Sequence, residues 1–502
     1  MGKTQYRYSI VKPVMFVVLA VMQAVLYVNI AAALFTAWSE HTLLIPALLV
    51  IFLVHVLPVL ITVAARQANH SVKLSWLVFV MAFPMIGGVW YELFGGGLFA
   101  GRARRIYQAQ LTRNLDYLEQ GTKVLDELDS AGGAAIGQAY TVLNVSGFPT
   151  YKNTRTSILQ HGDDFLQILL DELTKAKKFI FIECGALHTG EVFSEVFNIL
   201  DGKAQEELDI KVIYDKKASS GQLPRGFRQS CEGVGISCRG FGNMAERDNR
   251  LMIIIDGNMA FCSTNSSLGD DMLRSASTMY VIRGDAVWSS TVMYLNMWDA
   301  LTRTNTDYAK FRPTLAYTEE HGHVAVFGDS PANEQHPVRA VFNKMISSAQ
   351  SHVYIQTPTL EADALLLHTL SMAATSGVDV RVITAALAAD ALTAQRTRAN
   401  YSKLLDAGVK IFEYGGALNS NTLICDDMSC LITTASLDYR SMLHNHELAV
   451  WISGDEAVME TREDFMSILD NSHEITPRAW RKHTGALHKV WYAVLRAVSP
   501  IV

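Results

Sequence analysis

The sequence predicts an α/β protein, with N-terminal transmembrane helices followed by a domain that occurs twice. Three observations carry this reading. Residues 14–38 are free of charge and long enough to cross the ~30 Å hydrocarbon core of a bilayer. A short pattern recurs at 249–257 and 419–427: a polar start, an apolar run that reads as a buried strand, then an aspartate, Asp256 or Asp426. The surroundings recur in the same order, helix and strand at 170–183 echoed at 341–356, and the strand 209–214 echoed at 378–383. Such internal self-similarity is the mark of a duplicated unit.

The membrane anchor is expected over 1–98. Lys3, Arg7 and Lys12 precede the apolar run 14–38, which is too long for a signal-peptide core and has no small-residue cleavage site, so it is read as an uncleaved helix. Residues 43–65 form a second helix, with Glu40 and His41 in a tight connection. A third apolar segment, 74–94, carries Pro84, Gly87 and Gly88 in its middle, and its Trp90 and Tyr91 suit a membrane interface. Basic residues flank it on both sides: Arg66 and Lys73 before, Arg102, Arg104 and Arg105 after. The positive-inside rule places the N-terminus, the 66–73 loop and residues 102–105 together on the cytoplasmic side. A re-entrant or interfacial third segment satisfies that; a third full crossing is the alternative. The rest of the chain is then expected in the cytoplasm.

A polar helical linker is expected over 99–149, with a break at Ser130–Ala134. The first repeat follows over 150–311, a Pro-, Gly-, Glu- and His-rich connector over 312–337, and the second repeat over 338–475. In the tail, 476–502, Trp480, Leu487, Val490, Trp491, Val494 and Leu495 fall at helical spacing beside Arg478, Arg481, Lys482, Lys489 and Arg496. That pattern fits an amphipathic helix on an anionic membrane surface, or one packed on the domain.

Hydrophobic residues make up 49% of the 502, which agrees with a membrane protein carrying a soluble portion. A net charge of −6 supplies no basic field for nucleic acid. The six cysteines are scattered and none forms a CxxC pair, so they read as buried free thiols rather than disulfides or zinc ligands. No metal and no cofactor is expected.

The repeated stretches, with Tyr354–Pro358, Leu404–Tyr414, Leu437–Ser441 and Asn445–Glu447, resemble the bacterial cardiolipin synthases of the phospholipase D superfamily. The resemblance covers nearly the whole chain. It implies a phospholipase D-type domain of two mixed-sheet halves related by pseudo-twofold symmetry, in a bacterial cell membrane. The family signature is His-x-Lys-x-x-x-x-Asp, once per half. Here the His positions hold Asn249 and Asn419, the Lys positions hold Leu251 and Asn421, and only Asp256 and Asp426 remain. The family Asn after each motif falls on Ser266 and Ser436, although a one-residue shift would use Asn265.

In the family, one His attacks phosphorus, the other moves protons, and the two Lys hold phosphate oxygens. Imidazole suits both roles because it titrates near neutrality. A carboxamide is nearly non-basic and does neither. Loss of such a set of groups removes nearly all chemical acceleration. Asp256 and Asp426 are expected to survive as anchors that cap backbone N–H groups. A headgroup pocket without catalysis would use Asn249, Arg250, Asn265, Ser266, Asn419, Asn421, Ser436 and Glu447. His444 and His446 are the candidates for replacement chemistry, with His188 a further histidine near the expected site.

Three functions follow. The first is a pseudoenzyme binding phosphatidylglycerol or cardiolipin, or modulating an active cardiolipin synthase paralogue. The second is an active cardiolipin synthase joining two phosphatidylglycerol molecules through rerouted residues. The third is a structural membrane protein with no lipid pocket.

Overall fold

The computed structural model describes residues 56–65, 70–95, 98–159, 161–242, 246–315, 317, 322–387 and 390–501, with isolated positions 23, 27, 28, 50 and 54. The chain divides into two compact units, residues 1–103 with 500–502, and residues 104–499.

In the first unit, α1 (Leu57–Ala65), α2 (His70–Ala82) and α3 (Pro84–Phe94) are short. Proline at the first position of α3 removes a helical donor and starts a new helix after Phe83. The rings of Trp76 and Tyr91 lie 5.2 Å apart. In one straight helix they would be about 22 Å apart along the axis, so the third apolar segment doubles back rather than running as one rod. Among the described residues no helix is long and apolar enough to cross a membrane. The expected crossing 14–38 lies largely outside the described residues, as does most of 43–65.

The second unit begins within α4 (Leu98–Asn114) and continues through α5 (Thr122–Ala131) and α6 (Ala135–Ser146). The segment read as a linker is therefore part of the domain from Arg104 onward. Ala139 and Val142 of α6 are fully buried, and the buried Trp451 indole donates to Gln138 at 2.9 Å.

The first half then runs β1 (Thr154–Leu159), α7 (Gly162–Lys175), β2 (Phe179–Cys184), β3 (Ala186–Leu187), α8 (Glu191–Gln205), β4 (Asp209–Asp215), α9 (Phe227–Gly233), β5 (Ser237–Phe241), β6 (Leu251–Ile255), β7 (Met259–Ser263), β8 (Ser267–Leu268), β9 (Met279–Gly284) and α10 (Val287–Thr302). The second half runs β10 (His323–Asp329), α11 (Pro337–Ser348), β11 (His352–Gln356), α12 (Ala364–Thr375), β12 (Asp379–Ala385), α13 (Ala391–Arg398), α14 (Tyr401–Asp406), β13 (Lys410–Tyr414), β14 (Thr422–Cys425), β15 (Ser429–Thr433), α15 (Tyr439–His444), β16 (Glu447–Ser453), α16 (Glu456–Asp470) and β17 (Ser472–Ile475). The tail forms α17 (Pro477–His483) and α18 (Ala486–Val498).

The two halves share one sheet plan. The first sheet is ordered β1-β9-β7-β6-β2-β4-β5 and the second β10-β16-β15-β14-β11-β12-β13, with β17 added at the edge. Each sheet is mixed: β2 is parallel to β4 and antiparallel to β6, and β11 stands in the same relation to β12 and β14. The central strands β2, β6 and β11 are buried at every residue, as strands covered on both faces should be, and β6 is apolar throughout. One helix of each half reaches across to the other: α10 packs on its own sheet and on β10, α16 on its own sheet and on β1. Glu460 of α16 accepts from the Ile158 backbone N–H at 2.8 Å.

Candidate functional site

The two retained aspartates are built as expected from a capping role. Asp256 and Asp426 follow β6 and β14 with φ of 53° and 57°, a left-handed conformation that Asp tolerates better than most residues. The Asp256 carboxylate accepts from the backbone N–H groups of Lys177, Lys178 and Phe179 at 2.9, 2.7 and 3.0 Å. Asp426 repeats this with Gln350, Ser351 and His352 at 2.8, 2.7 and 2.9 Å. Each thus ties the end of its motif strand to the start of the neighbouring strand.

At the other end of the motif strands the two halves meet. Residue 248 forms a β-bridge with 446, and residue 276 with 418. The backbone N–H of Asn249 donates to the His446 carbonyl at 2.9 Å, and that of Asn419 to the Ala276 carbonyl at 2.7 Å. Each motif is therefore held at its start by the opposite half, and the two contacts are reciprocal.

This crossing delivers Asn249 to Glu447. The Asn249 amide donates to Glu447 Oε1 at 2.8 Å, and the Thr434 hydroxyl donates to Oε2. Glu447 is fully buried, and burial pushes its carboxyl up to about 8, with the Asp438 charge adding to the rise and the bonds from Thr434, Asn249 and Asn445 opposing it. A neutral amide beside a carboxyl that keeps its proton at neutral pH has no charge to relay. The reciprocal site is plainer. Thr264 and Thr434 bond to residues 278 and 448 in the same way, which aligns Glu447 with Ser277. Asn419 therefore has a serine where Asn249 has a carboxyl.

The Lys positions are equally neutral. Leu251 is fully buried in the apolar core of the first half. Asn421 is 3% exposed, accepts from Thr357 at 3.3 Å and donates to the Asn419 carbonyl at 3.4 Å.

Arg250, expected in the pocket, turns inward instead. Successive side chains of an extended chain point to opposite faces, so the neighbour of Asn249 is directed away from the seam. Its guanidinium donates to both Asp248 oxygens at 2.9 and 3.1 Å and lies 2.6 Å from Glu183, all three side chains being at most 1% exposed. Burial opposes its charge, but Asp248 and Glu183 hold it well above the ordinary value. Burial likewise pushes Asp248 up, and Arg250 more than reverses it; Glu183, with burial dominant, is raised well above the usual carboxylate range. The cluster is one guanidinium held between two buried carboxyl groups whose affinities for a proton are pushed in opposite directions.

The remaining candidates separate. Asn265 closes its own turn, donating to Ser275 at 3.2 Å and accepting from the Ser267 N–H at 3.1 Å. The Ser266 carbonyl accepts from Gly185 and Ala186, and Ser436 is half-buried before α15. A Cβ on Gly185 would lie 2.6 Å from the Ser266 Cβ and 2.7 Å from the Asp248 carbonyl, so only glycine fits there. His446 is 4% exposed, with Tyr107 and Phe241 edge-on to its ring at 4.9 and 5.2 Å and its Nε2 3.7 Å from Glu246. Burial pushes Glu246 up, and His446 and Arg104 more than reverse it. His444 is half-buried at the end of α15. His188 lies 3.4 Å from both Asp271 and Ser267.

Two arginines that the motif does not name border the seam. Arg247, two residues before Asn249, reaches Asp215 at 3.5 Å. Arg440, on the opposite half, stands on the surface of α15; its charge is disfavoured first by the protein around it and then by Arg247. The Asp438 of the family-like run was the one sequence signal pointing to this region, since it caps α15 and sets Arg440 in its first turn.

Residues 342–469 match the family model described as a cardiolipin synthase, phospholipase D-like domain. A Streptococcus mutans protein described as uncharacterized is 27% identical over 449 residues, 86% of this chain and 96% of the relative. Cardiolipin synthase 2 of Bacillus anthracis is 27% identical over 473 residues, 87% and 88% of the two chains. Cardiolipin synthase of Listeria welshimeri is 25% identical over 480 residues, 91% and 98%. The solved phosphatidylserine synthase of Haemophilus influenzae shares the fold at 12% identity, with a TM-score of 0.55 over 72% of this chain and 99% of that one. Over its second half the chain is similar to the cardiolipin synthase, phospholipase D-like domain, and over nearly its whole length to bacterial cardiolipin synthases, while the solved synthase shares its fold.

Proposed function

We propose that this chain is a membrane-associated pseudoenzyme that binds anionic phospholipid and does not transfer phosphatidyl groups. The observation that carries the reading is the Asn249–Glu447 pair, an amide on a buried, proton-holding carboxyl where the family uses an imidazole. The serine at position 277, which aligns with Glu447, with Leu251 in the core and Asn421 in a neutral network, extends it to the other motif positions. Rerouting through His446 is disfavoured by its burial between two rings.

The lipid phosphate would lie at the mouth of the seam, with Arg247 and Arg440 supplying positive charge and Asn249, Asn419, Ser266 and Ser436 supplying neutral donors. Cardiolipin, which the relatives' names give as their product, and phosphatidylglycerol, which the sequence resemblance implies, are the expected lipids. Anchorage would come from 14–38 and 43–65, with the folded-back segment 74–94 on the cytoplasmic side. An active cardiolipin synthase paralogue as partner remains part of the proposal, supported by the retained scaffold alone.

The test is a lipid extract from a bacterium stripped of its own cardiolipin synthases and expressing this chain, with an active relative as positive control. No cardiolipin is expected while the protein is folded and in the membrane; cardiolipin above background refutes the reading. The binding half is tested with the purified chain and phospholipid nanodiscs. Arg440→Ala is expected to weaken the preference for phosphatidylglycerol over phosphatidylcholine, and an unchanged preference refutes the assigned site.

A further inference from the structure

The tail helix α18 has two apolar faces, and only one is used. Tyr492 and Leu495 are buried, the Trp480 and Tyr492 rings stack 6.1 Å apart at 8°, and Arg496 donates to the Ala399 carbonyl at 2.6 Å, so the helix is docked on the second half. The stripe beside it is open, save that the Trp491 indole at its border donates to Gln395. Leu487 is 86% exposed, Val490 65%, Trp491 44%, Val494 48% and Val498 38%. Their spacing of three, four, seven and eleven residues from Leu487 places them on one side of the helix. Leu392 of the adjoining α13 and Leu387 just before it are exposed as well.

We propose that this stripe of α18 lies in the interfacial layer of an anionic bilayer, as a docking surface separate from the seam. The charge around it selects that occupant. Residues 476–502 contain Arg478, Arg481, Lys482, Lys489 and Arg496 and no acidic residue. Arg481 is paired with Asp406 and Arg496 with a carbonyl, which leaves Arg478, Lys482 and Lys489 as exposed cations on the tail. Apolar side chains with basic neighbours and a tryptophan are what a helix in the plane of an anionic membrane requires, its apolar face sunk about 5–10 Å into the headgroup–acyl boundary. A protein partner would be met by the apolar stripe but gives no reason for the one-sided charge.

The experiment reads insertion at the stripe in the full-length protein. All six cysteines are buried, so a cysteine introduced at the exposed position 490, Val490→Cys, can be labelled selectively with an environment-sensitive dye. The labelled protein is reconstituted into vesicles of phosphatidylcholine alone or with phosphatidylglycerol, each with or without lipids carrying a quencher near the headgroup. With phosphatidylglycerol, dye emission is expected to shift to the blue and be quenched roughly twofold. Added Leu487→Asp and Val494→Asp changes should abolish both effects without altering the unfolding midpoint. A dye in water in both vesicles overturns the proposal. Equal quenching without phosphatidylglycerol overturns the charge argument and the proposal with it. A shift that grows with protein concentration and ignores the lipid quencher assigns the stripe to a second protein molecule, which also overturns it. Failure here is distinct from failure at the seam, because headgroup preference in Arg440→Ala and quenching at position 490 are independent readings.

Discussion

Replacing Glu447 by Gln should make the protein more stable at neutral and alkaline pH, and the structure sets the size of the effect. The folded carboxyl keeps its proton up to about 8, while in the unfolded chain it is released near the ordinary value of 4.5. Between those values the folded state binds the extra proton. Stability from this group is therefore complete below about 4.5 and declines as pH rises towards 8. At about 1.4 kcal/mol for each pH unit, the gap from 4.5 to about 8 amounts to about 5 kcal/mol as an upper limit. Glutamine has nearly the same shape, still accepts from Asn249, can donate to the Thr434 hydroxyl, and never ionises. The assay is denaturant unfolding of both proteins at pH 5, 6, 7 and 8, followed by tryptophan fluorescence. Other titrating groups are common to both, so the difference isolates residue 447. The wild-type midpoint should fall relative to that of Glu447→Gln across this range. A pH-independent difference, or a variant less stable than wild type at pH 8, would show that Glu447 is ionised and engaged with a positive charge, and the case for an inert seam would lose its main support.

Three further changes test the scaffold. Asp426→Ala orphans three backbone N–H groups and should cost about 2–3 kcal/mol in unfolding free energy, with Asp256→Ala similar; a loss below 0.5 kcal/mol, on the order of an ordinary surface change, would refute the capping role. Arg250→Ala leaves Asp248 and Glu183 buried without their cation and should cost about 3–5 kcal/mol. Installing the second half's neutral residues, Glu183→Gln, Asp248→Leu and Arg250→Ser, should lose less than the single change, and a larger loss would contradict the charge balance described. Gly185→Ala should destabilise by about 1–3 kcal/mol through overpacking, read as a lowered unfolding midpoint; an unchanged midpoint would mean that Ser266 gives way.

The matching strand order of the two sheets was legible because each half writes the same order of helix, strand and aspartate strand. The capping aspartates could be foreseen because an Asp at a strand end before a turn has few other uses. The Arg250 cluster was not foreseen as a core element. Reading Arg250 as a pocket cation ignored the alternation that sends residues 249 and 250 to opposite faces. The docking of α6 into the domain was equally hidden, because Gln138 looks like a surface residue until Trp451, more than three hundred positions away, supplies its partner. The mutual repulsion of Arg247 and Arg440 is of the same kind, since nothing local links two arginines in different halves. What lies between residues in sequence was readable; what lies between the halves was not.

The reciprocal bridges, 248 with 446 and 276 with 418, mean that neither half owns its own catalytic-type corner. A chain severed in the 312–337 connector would leave each fragment with a motif whose first residues have lost their backbone partners and, in one fragment, a buried carboxyl stripped of its amide. The interlock makes one unit of the two halves: neither can be removed without unpairing the start of the other's motif.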